Sequence, residues 1–248
     1  MNQLIYANVI IVLAIANVQS LDNVRSKRLV QGENANQNLA PWQVLFVQRR
    51  SDAWLLCGGS LLNKEWVLTA GHCCDEAIIK SNLQIANYIK YGNLNHTIMP
   101  FQSNISQMII HPQYERGTHS HNLCLCKLAI PARESSTVKF ATLATSYPPS
   151  GARAIVTGWG NTNSTDMNSG PDMLLYAQHI VIDQARCEYG MQRYGGHIDG
   201  TNICTLPTKQ SLAWGDSGNP LAVNGQVVGV ASTYPSSDLA ENIPNSLD

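Results

Sequence analysis

Two short motifs contain the side chains of this sequence that could carry out nucleophilic chemistry. His72 lies near the end of the run Leu68-Thr69-Ala70-Gly71-His72-Cys73, and Ser217 lies in the glycine-bracketed turn Gly215-Asp216-Ser217-Gly218. A free serine hydroxyl is a poor nucleophile at neutral pH, and an adjacent imidazole activates it by accepting its proton. If the fold brings the two side chains together, the pair could attack a carbonyl carbon.

The elements that must position these motifs are short β-strands. Apolar runs rich in β-branched residues recur between turns that contain Gly, Pro and Asn. Strands at this spacing favour an antiparallel sandwich or barrel, between which periodicity alone does not choose. Asp183 could cap a short helix over residues 183–189. The predicted strands are residues 43–47, 66–69, 107–110, 123–128, 154–157, 177–182, 221–223 and 226–231.

The composition describes a globular chain with few charges. Its 248 residues fit one large domain or two small packed domains. Charged residues make up 13% of the chain, and the net charge is −1 without a basic run. Nucleic acid and anionic membranes are therefore not expected as partners. The apolar stretch 4–18 predicts a signal peptide over residues 1–20, with a membrane anchor as the alternative, and the mature protein is expected to be secreted.

Six motifs, in order, resemble those of the chymotrypsin-like serine proteases, and the resemblance extends from about Leu29 to Ser232. It implies an all-β fold of two packed six-stranded antiparallel Greek-key barrels, with the active site in the cleft between them. The N-terminal barrel would span residues 29–135 and the C-terminal barrel residues 136–248. The motifs are Arg28-Leu29-Val30-Gln31-Gly32, Cys57-Gly58-Gly59-Ser60-Leu61-Leu62, the histidine motif, Gly158-Trp159-Gly160-Asn161-Thr162, Cys204 and the serine motif.

The resemblance assigns roles to the catalytic candidates. His72 would be the general base, Ser217 the nucleophile, and the backbone N–H groups of Gly215 and Ser217 the oxyanion hole. The family has an aspartate at the third position, where this sequence has Asn122. An amide can donate to the imidazole and favour the wrong tautomer, and this same change in the family lowers kcat about 10⁴-fold. Glu115 is a remote candidate for a substitute acid.

Two further departures concern the specificity pocket and the end of the chain. Ser211, at the expected base of the pocket, and Leu212 predict a preference for uncharged residues. The wall segment from Ser232 to Tyr234 has tyrosine where the family has glycine. We expect that tyrosine to narrow or fill the pocket. We also expect the last barrel strand and the C-terminal helix of the family to be missing, so that the second barrel is truncated.

The resemblance also implies activation by proteolysis. Residues 21–28 would form a short propeptide that is cut between Arg28 and Leu29. The new ammonium group would then pair with Asp216 and order the oxyanion hole. The alternative is that this site is a vestige without a function.

Seven cysteines are present, an odd number for a secreted chain. The resemblance pairs Cys57 with Cys73 and Cys187 with Cys204. Buried free thiols are the favoured interpretation of the remaining three, and a bridge from Cys74 to Cys124 or Cys126 is the alternative. Their spacing matches no common metal site, and neither a metal nor a cofactor is expected. Asn95, Asn104 and Asn163 begin N-glycosylation motifs.

These observations support three hypotheses about function. The first is a secreted, monomeric pseudo-protease that binds a protein ligand. Its pattern resembles inactivated mite protease paralogues that are similar to group 3 mite allergens, which implies interference with host defence such as complement. The second is a weak endopeptidase that cleaves peptide substrates after uncharged residues. The third is a non-functional product whose missing strand leaves a barrel edge open.

Overall fold

The computed structural model describes residues 32–50, 54–75, 84–162, 169–192, 198–208, 212, 215–233 and 245–247. Thirteen strands and two α-helices make up the described part, together with a 3₁₀ turn over His96–Ile98. The strands are β1 (Glu33–Asn34), β2 (Gln43–Arg50), β3 (Trp54–Leu61), β4 (Trp66–Ala70), β5 (Gln84–Tyr91), β6 (Phe101–Ile110), β7 (Leu123–Leu128), β8 (Arg153–Gly158), β9 (Leu175–Val181), β10 (Ile203–Pro207), β11 (Pro220–Val223), β12 (Gln226–Thr233) and β13 (Asn245–Leu247). The helices are α1 (Gly71–Cys74) and α2 (Gln184–Gln192).

The first six-stranded unit is a closed antiparallel barrel in the order β2-β3-β4-β7-β6-β5. Alternate residues of its strands point inward, as the two-residue period of a strand requires. Val44, Phe46, Leu61, Val67 and Ile89 are fully buried in its core. Because β4 pairs with β7, the chain segments that carry His72 and Asn122 leave the barrel side by side.

The second unit is also closed by its pairings. Its six strands form the ring β8-β9-β10-β13-β12-β11, since β11 pairs with β8, and β1 adds to β9 at its side. The short strand β13 pairs with both β10 and β12. The expectation of a missing last strand, and hence of an open barrel edge, was therefore wrong. A three-residue strand has too short a pattern to be recognised from periodicity.

The architecture confirms the predicted all-β fold of two antiparallel barrels. All eight predicted strands lie within or overlap observed ones, and residues 123–128 match β7 at both ends. The predicted helix corresponds to α2, where Asp183 Oδ1 accepts a hydrogen bond from the N–H of Arg186 at 2.8 Å. Within the described residues, no helix is long and apolar enough to cross a membrane.

Candidate active site

His72 is positioned by backbone contacts between α1 and the residue that precedes β7. The N–H of Gly71 donates to the Asn122 carbonyl oxygen at 2.9 Å. A Cβ on Gly71 would lie 3.1 Å from Asn122 Oδ1 and 3.2 Å from the Asn122 carbonyl carbon, so the neighbouring segment would have to shift by a few tenths of an ångström to admit a larger residue. The glycine before the histidine therefore allows the close approach that brings the two side chains together.

The orientation of the Asn122 amide is fixed by the main chain. Asn122 is fully buried, and its Oδ1 accepts a hydrogen bond from the backbone N–H of His72 at 2.8 Å. Because a backbone N–H can only donate, the amide atom that faces it is the oxygen. The NH₂ group then faces the imidazole, with Nδ2 2.9 Å from His72 Nδ1, and also donates to Ser232 Oγ at 2.6 Å. Oδ1 lies farther from Nδ1, at 3.3 Å.

This orientation determines the tautomer of His72. Nδ1 accepts a hydrogen from the Asn122 NH₂ group, so the proton of the neutral ring resides on Nε2. Burial lowers the pKa of His72 to about 4, with a further lowering by His119. The charge of Asp75 raises the pKa but does not offset the burial. At neutral pH the ring is therefore uncharged and presents an N–H at Nε2.

His119 is a neighbour of the site that the sequence did not identify. Its ring lies 5.5 Å from that of His72 between centroids, in an edge-on arrangement. Its Nδ1 lies 3.4 Å from Asn122 Nδ2, and burial lowers the pKa of its imidazole. The backbone of His119 has φ of 57°, in the left-handed region that few non-glycine residues adopt. No local pattern in the sequence marks this contact.

The turn that carries Ser217 packs against the strands that lead to His72. The N–H of Gly58 donates to the Ser217 carbonyl oxygen at 2.7 Å. Gly218 has φ of 82°, and a Cβ there would lie 2.3 Å from Thr69 Oγ1. Thr69 Oγ1 in turn donates to the Gly58 carbonyl oxygen at 2.8 Å. These contacts place the serine turn directly beside the last residues of β4, which His72 follows in the chain.

Asp216 lies in the interior behind the serine turn. Its side chain is 1% exposed, and Oδ1 accepts hydrogen bonds from the N–H of Gly160 at 2.9 Å and from Asn219 Nδ2 at 3.0 Å. A Cβ on Gly158 or Gly160 would lie 2.1 Å or 2.4 Å from atoms of this carboxylate. The two glycines of the Gly158-Trp159-Gly160 motif thus provide the space for a buried acid.

A chain of buried polar side chains continues from Asp216 into the first barrel. Asn219, fully buried, accepts a hydrogen bond at Oδ1 from Gln43 Nε2 at 2.6 Å. Gln43 Oε1 accepts one from Thr157 Oγ1 at 2.7 Å. No role for these residues was predicted from the sequence. A glutamine at the start of the otherwise apolar run 43–47 was the available signal for Gln43.

The structure resolves the cysteine pairing. Cys57–Cys73 and Cys187–Cys204 are bonded, as the resemblance implies. Cys74 and Cys124 also form a disulfide, so the favoured interpretation of free thiols was wrong for these two cysteines. It holds for Cys126, which is buried and free. The alternative bridge is observed because α1 packs against β7, which places Cys74 within bonding distance of the first inward cysteine of that strand.

Cys126 lies close to this bridge. Its Sγ is 3.6 Å from Cys74 Sγ, and burial raises the pKa of its thiol to about 12. The sulfur atoms of Cys74, Cys124 and Cys126 form a compact buried group. Because two of the three are joined in a disulfide, the group offers one thiol and not a set of metal ligands.

Some of the remaining site candidates lie among the described residues, and the others lie outside them. Leu212 is buried, and Ser232 contacts the Asn122 amide. Of the glycosylation candidates, Asn104 is exposed on β6, whereas the Asn95 side chain is half-buried and accepts a hydrogen bond from the N–H of Thr97. The candidates outside the described residues are Arg28, Leu29, Asn163, Ser211 and Tyr234.

Comparisons with known proteins agree with this geometry. A family model described as Trypsin matches residues 29–245. Human serine protease 1 is 34% identical over 210 residues, which cover 83% of this chain and 78% of that protein. Trypsin of Sarcophaga bullata is 32% identical over 216 residues, with coverage of 86% and 81%. Among solved structures, neuropsin, a serine protease expressed in the limbic system of mouse brain, has a TM-score of 0.74 at 28% identity, with coverage of 88% of this chain and 92% of its own.

Proposed function

Because the chain belongs to the trypsin family of serine proteases, we propose that it is a secreted pseudo-protease, whose cleft binds proteins or peptides with little or no hydrolysis. The observation that carries this proposal is the amide of Asn122. Its oxygen is held by the backbone N–H of His72, and its NH₂ group faces His72 Nδ1 at 2.9 Å. Nε2 of the imidazole then carries a hydrogen, whereas an active enzyme needs a lone pair on that nitrogen to accept the proton of the serine.

The chemical consequence follows from the proton that Ser217 must lose. A general base at Nε2 would accept that proton as the hydroxyl attacks a carbonyl carbon. Because Nε2 already carries a hydrogen, His72 is able to accept the serine proton there only if the buried ring first loses that hydrogen. The amide also gives no charge to stabilise an imidazolium ion. In this family the loss is about 10⁴-fold in kcat, which corresponds to about 5 kcal/mol of activation free energy.

The proposal also includes the roles that the family resemblance implies for other residues. Ser217 is the nucleophile position, and the N–H groups of Gly215 and Ser217 form the oxyanion hole. Cleavage between Arg28 and Leu29 releases an ammonium group that pairs with Asp216. Ser211 and Leu212 favour an uncharged residue of the ligand, and Tyr234 narrows the pocket.

The proposed setting is extracellular. The apolar segment 4–18 supports secretion, and the three disulfides are of the kind that persists in oxidising compartments. Glycans on Asn95, Asn104 or Asn163 fit the same setting. The partner is a protein or peptide, and host-defence proteins such as complement components are the class that the mite resemblance implies.

Hydrolysis of a peptide ester by mature protein cut after Arg28 tests the proposal. The parent protein is compared with Ser217→Ala, with Asn122→Asp and with Asn122→Asp combined with Tyr234→Gly. We expect the parent to be as silent as Ser217→Ala, and the aspartate to raise the rate by about three to four orders of magnitude. Turnover by the parent that Ser217→Ala abolishes would instead establish the second candidate, a weak endopeptidase.

A further inference from the structure

We propose that a groove on the outer face of the second barrel binds a single-chain anionic amphiphile of the fatty-acid class. The apolar chain of the ligand lies on Ile155 and Ile180, and its carboxylate binds Arg153. The groove has a volume of about 600 Å³, and small-molecule sites commonly occupy about 300–1,000 Å³. This inference goes beyond the proposed function and does not depend on it, because neither His72 nor Ser217 lines the groove.

Strand register determines which side chains face this groove. Arg153 of β8 pairs with Ile180 of β9. Ile155, two residues further along β8, pairs with Gln178 of β9 and with Ala222 of β11. Cross-strand partners in an antiparallel sheet project from the same face, and so do residues two apart in one strand. The five side chains therefore share the outer face of the second barrel, and the residues between them on β8 and β9 are buried.

The floor of the groove is apolar. Its side chains are those of Ile155, Ile180, Ala222 and, from the segment between β1 and β2, Leu39. All four residues are half-buried, so they present hydrocarbon to solvent within a concave surface. Transfer of apolar surface out of water is favourable in proportion to its area. A ligand with an unbranched alkyl chain would cover this floor and gain that stabilisation.

The rim of the groove is polar and carries one charge, which is positive. The exposed amides of Asn38, Gln178 and Asn224 line it, and the described lining residues include no Asp or Glu. Arg153 is exposed and forms no salt bridge with any residue that the structure describes. Its planar guanidinium can donate two parallel hydrogen bonds to a carboxylate. The rim is therefore complementary to an anionic head group.

Strand pairing and charge favour a free amphiphile over a peptide or a membrane surface. The strands β8, β9 and β11 each have hydrogen-bonded neighbours on both sides, so these three strands offer no open edge to which an extended peptide could add. Residues 21–31 of this chain contain three basic residues and one acid, so Arg153 would repel that segment. Binding to anionic lipid surfaces takes a cluster of basic residues, whereas this rim has one.

Isothermal titration calorimetry on the purified protein tests this inference with decanoate, octanoate and the cation decyltrimethylammonium, each as a monomer below its micelle concentration. We expect decanoate to bind about tenfold more tightly than octanoate, because octanoate has two fewer methylene groups to bury. Decyltrimethylammonium has an apolar chain of similar length. It should bind about tenfold more weakly than decanoate, since only the carboxylate gains charge-assisted hydrogen bonds at the rim.

Two pairs of variants test where the two ends of the ligand bind. Arg153→Gln removes the cation and should weaken decanoate binding about tenfold. Arg133→Gln, the same change at an exposed position outside the groove, should leave the affinity unchanged. Ile180→Thr removes apolar surface from the floor, keeps a β-branched side chain and should weaken binding about fourfold. Ile109→Thr, the matched change at an exposed position of β6, should have no effect.

Two results would overturn the inference directly: absence of decanoate binding by the parent protein, and equal affinity in Arg153→Gln and Arg133→Gln. Co-sedimentation with phosphatidylglycerol vesicles, in a protein that does not bind monomeric decanoate, would also overturn it and would identify a membrane surface instead. Cooperative thermal unfolding of each variant verifies that a loss of affinity is not a loss of fold. Because none of these measurements involves ester hydrolysis, failure of this inference leaves the proposed function standing.

Discussion

Replacing Asn219 by aspartate tests the buried polar chain behind Ser217. Asn219 is fully buried; its Nδ2 donates to Asp216 Oδ1 at 3.0 Å, and its Oδ1 accepts from Gln43 Nε2 at 2.6 Å. Aspartate has nearly the same shape and keeps the acceptor for Gln43. It replaces the donor to Asp216 by a second carboxylate oxygen. The substitution therefore changes one contact from attraction to repulsion without creating a cavity.

The expected loss of unfolding free energy has two parts. A hydrogen bond to a charged group contributes about 1.5–3 kcal/mol, and a buried charge without a partner destabilises by about 3–5 kcal/mol. Because the second part is relieved when the new carboxyl takes up a proton, we expect a total of about 4–6 kcal/mol at pH 7. Repulsion raises the pKa of the introduced carboxyl in the folded state above its unfolded value. The destabilisation should therefore be small in acid and grow as the pH rises towards 7.

Urea unfolding followed by tryptophan fluorescence measures this effect, at pH 5 and at pH 7. Gln102→Glu is the matched control, because it makes the same change of charge at an exposed position. The reasoning is refuted if Asn219→Asp unfolds within about 1 kcal/mol of that control at pH 7, a difference typical of surface substitutions and not of buried charge. It is also refuted if the difference between the two variants does not depend on pH.

Two further predictions concern other titratable groups. Burial lowers the pKa of His179 to about 4, whereas the unfolded chain binds a proton near pH 6.5, so His179 alone should lower the stability by about 3 kcal/mol between pH 6.5 and 4. Urea unfolding at several pH values should show that His179→Leu removes this part of the slope, and an unchanged slope would contradict it. Arg116 pairs with Asp75, whose charge raises the pKa of His72. Removal of the Arg116 cation in Arg116→Ala should strengthen the effect of the Asp75 charge, so the pKa of His72 should rise above its value in the parent protein, as measured by NMR titration. A fall in that pKa would show that the ion pair does not act on the ring.

The sequence predicted the fold and indicated the candidate site residues because both depend on short continuous motifs. The motif around His72 and the strand over residues 123–128 are each contiguous, and their pairing follows once the family is identified. The strand β3 was not predicted, because Gly58 and Gly59 lower strand propensity. These glycines are there for tertiary reasons, since a Cβ on Gly58 would lie 1.7 Å from Asn219 Oδ1.

Contacts between distant segments could not be predicted from the sequence. Asn219 and Gln43 are 176 positions apart, and nothing near either residue indicates the other. His119 contacts the site through a loop whose left-handed backbone has no signature in its composition. The choice between Cys124 and Cys126 as partner of Cys74 depended on strand register, because both side chains face the barrel interior.

The free thiol of Cys126 has a consequence for how this protein acquires its covalent structure. A thiolate 3.6 Å from a disulfide sulfur could attack Cys74 and release Cys124. In the native barrel the exchange is suppressed, because burial raises the pKa of Cys126 to about 12 and keeps the sulfur protonated. In the nascent chain all three thiols have ordinary acidity, and Cys74 can form a bridge with either of the other two. Folding thus selects one isomer of the bridge, and burial of the Cys126 thiol then prevents the exchange that would reverse this choice.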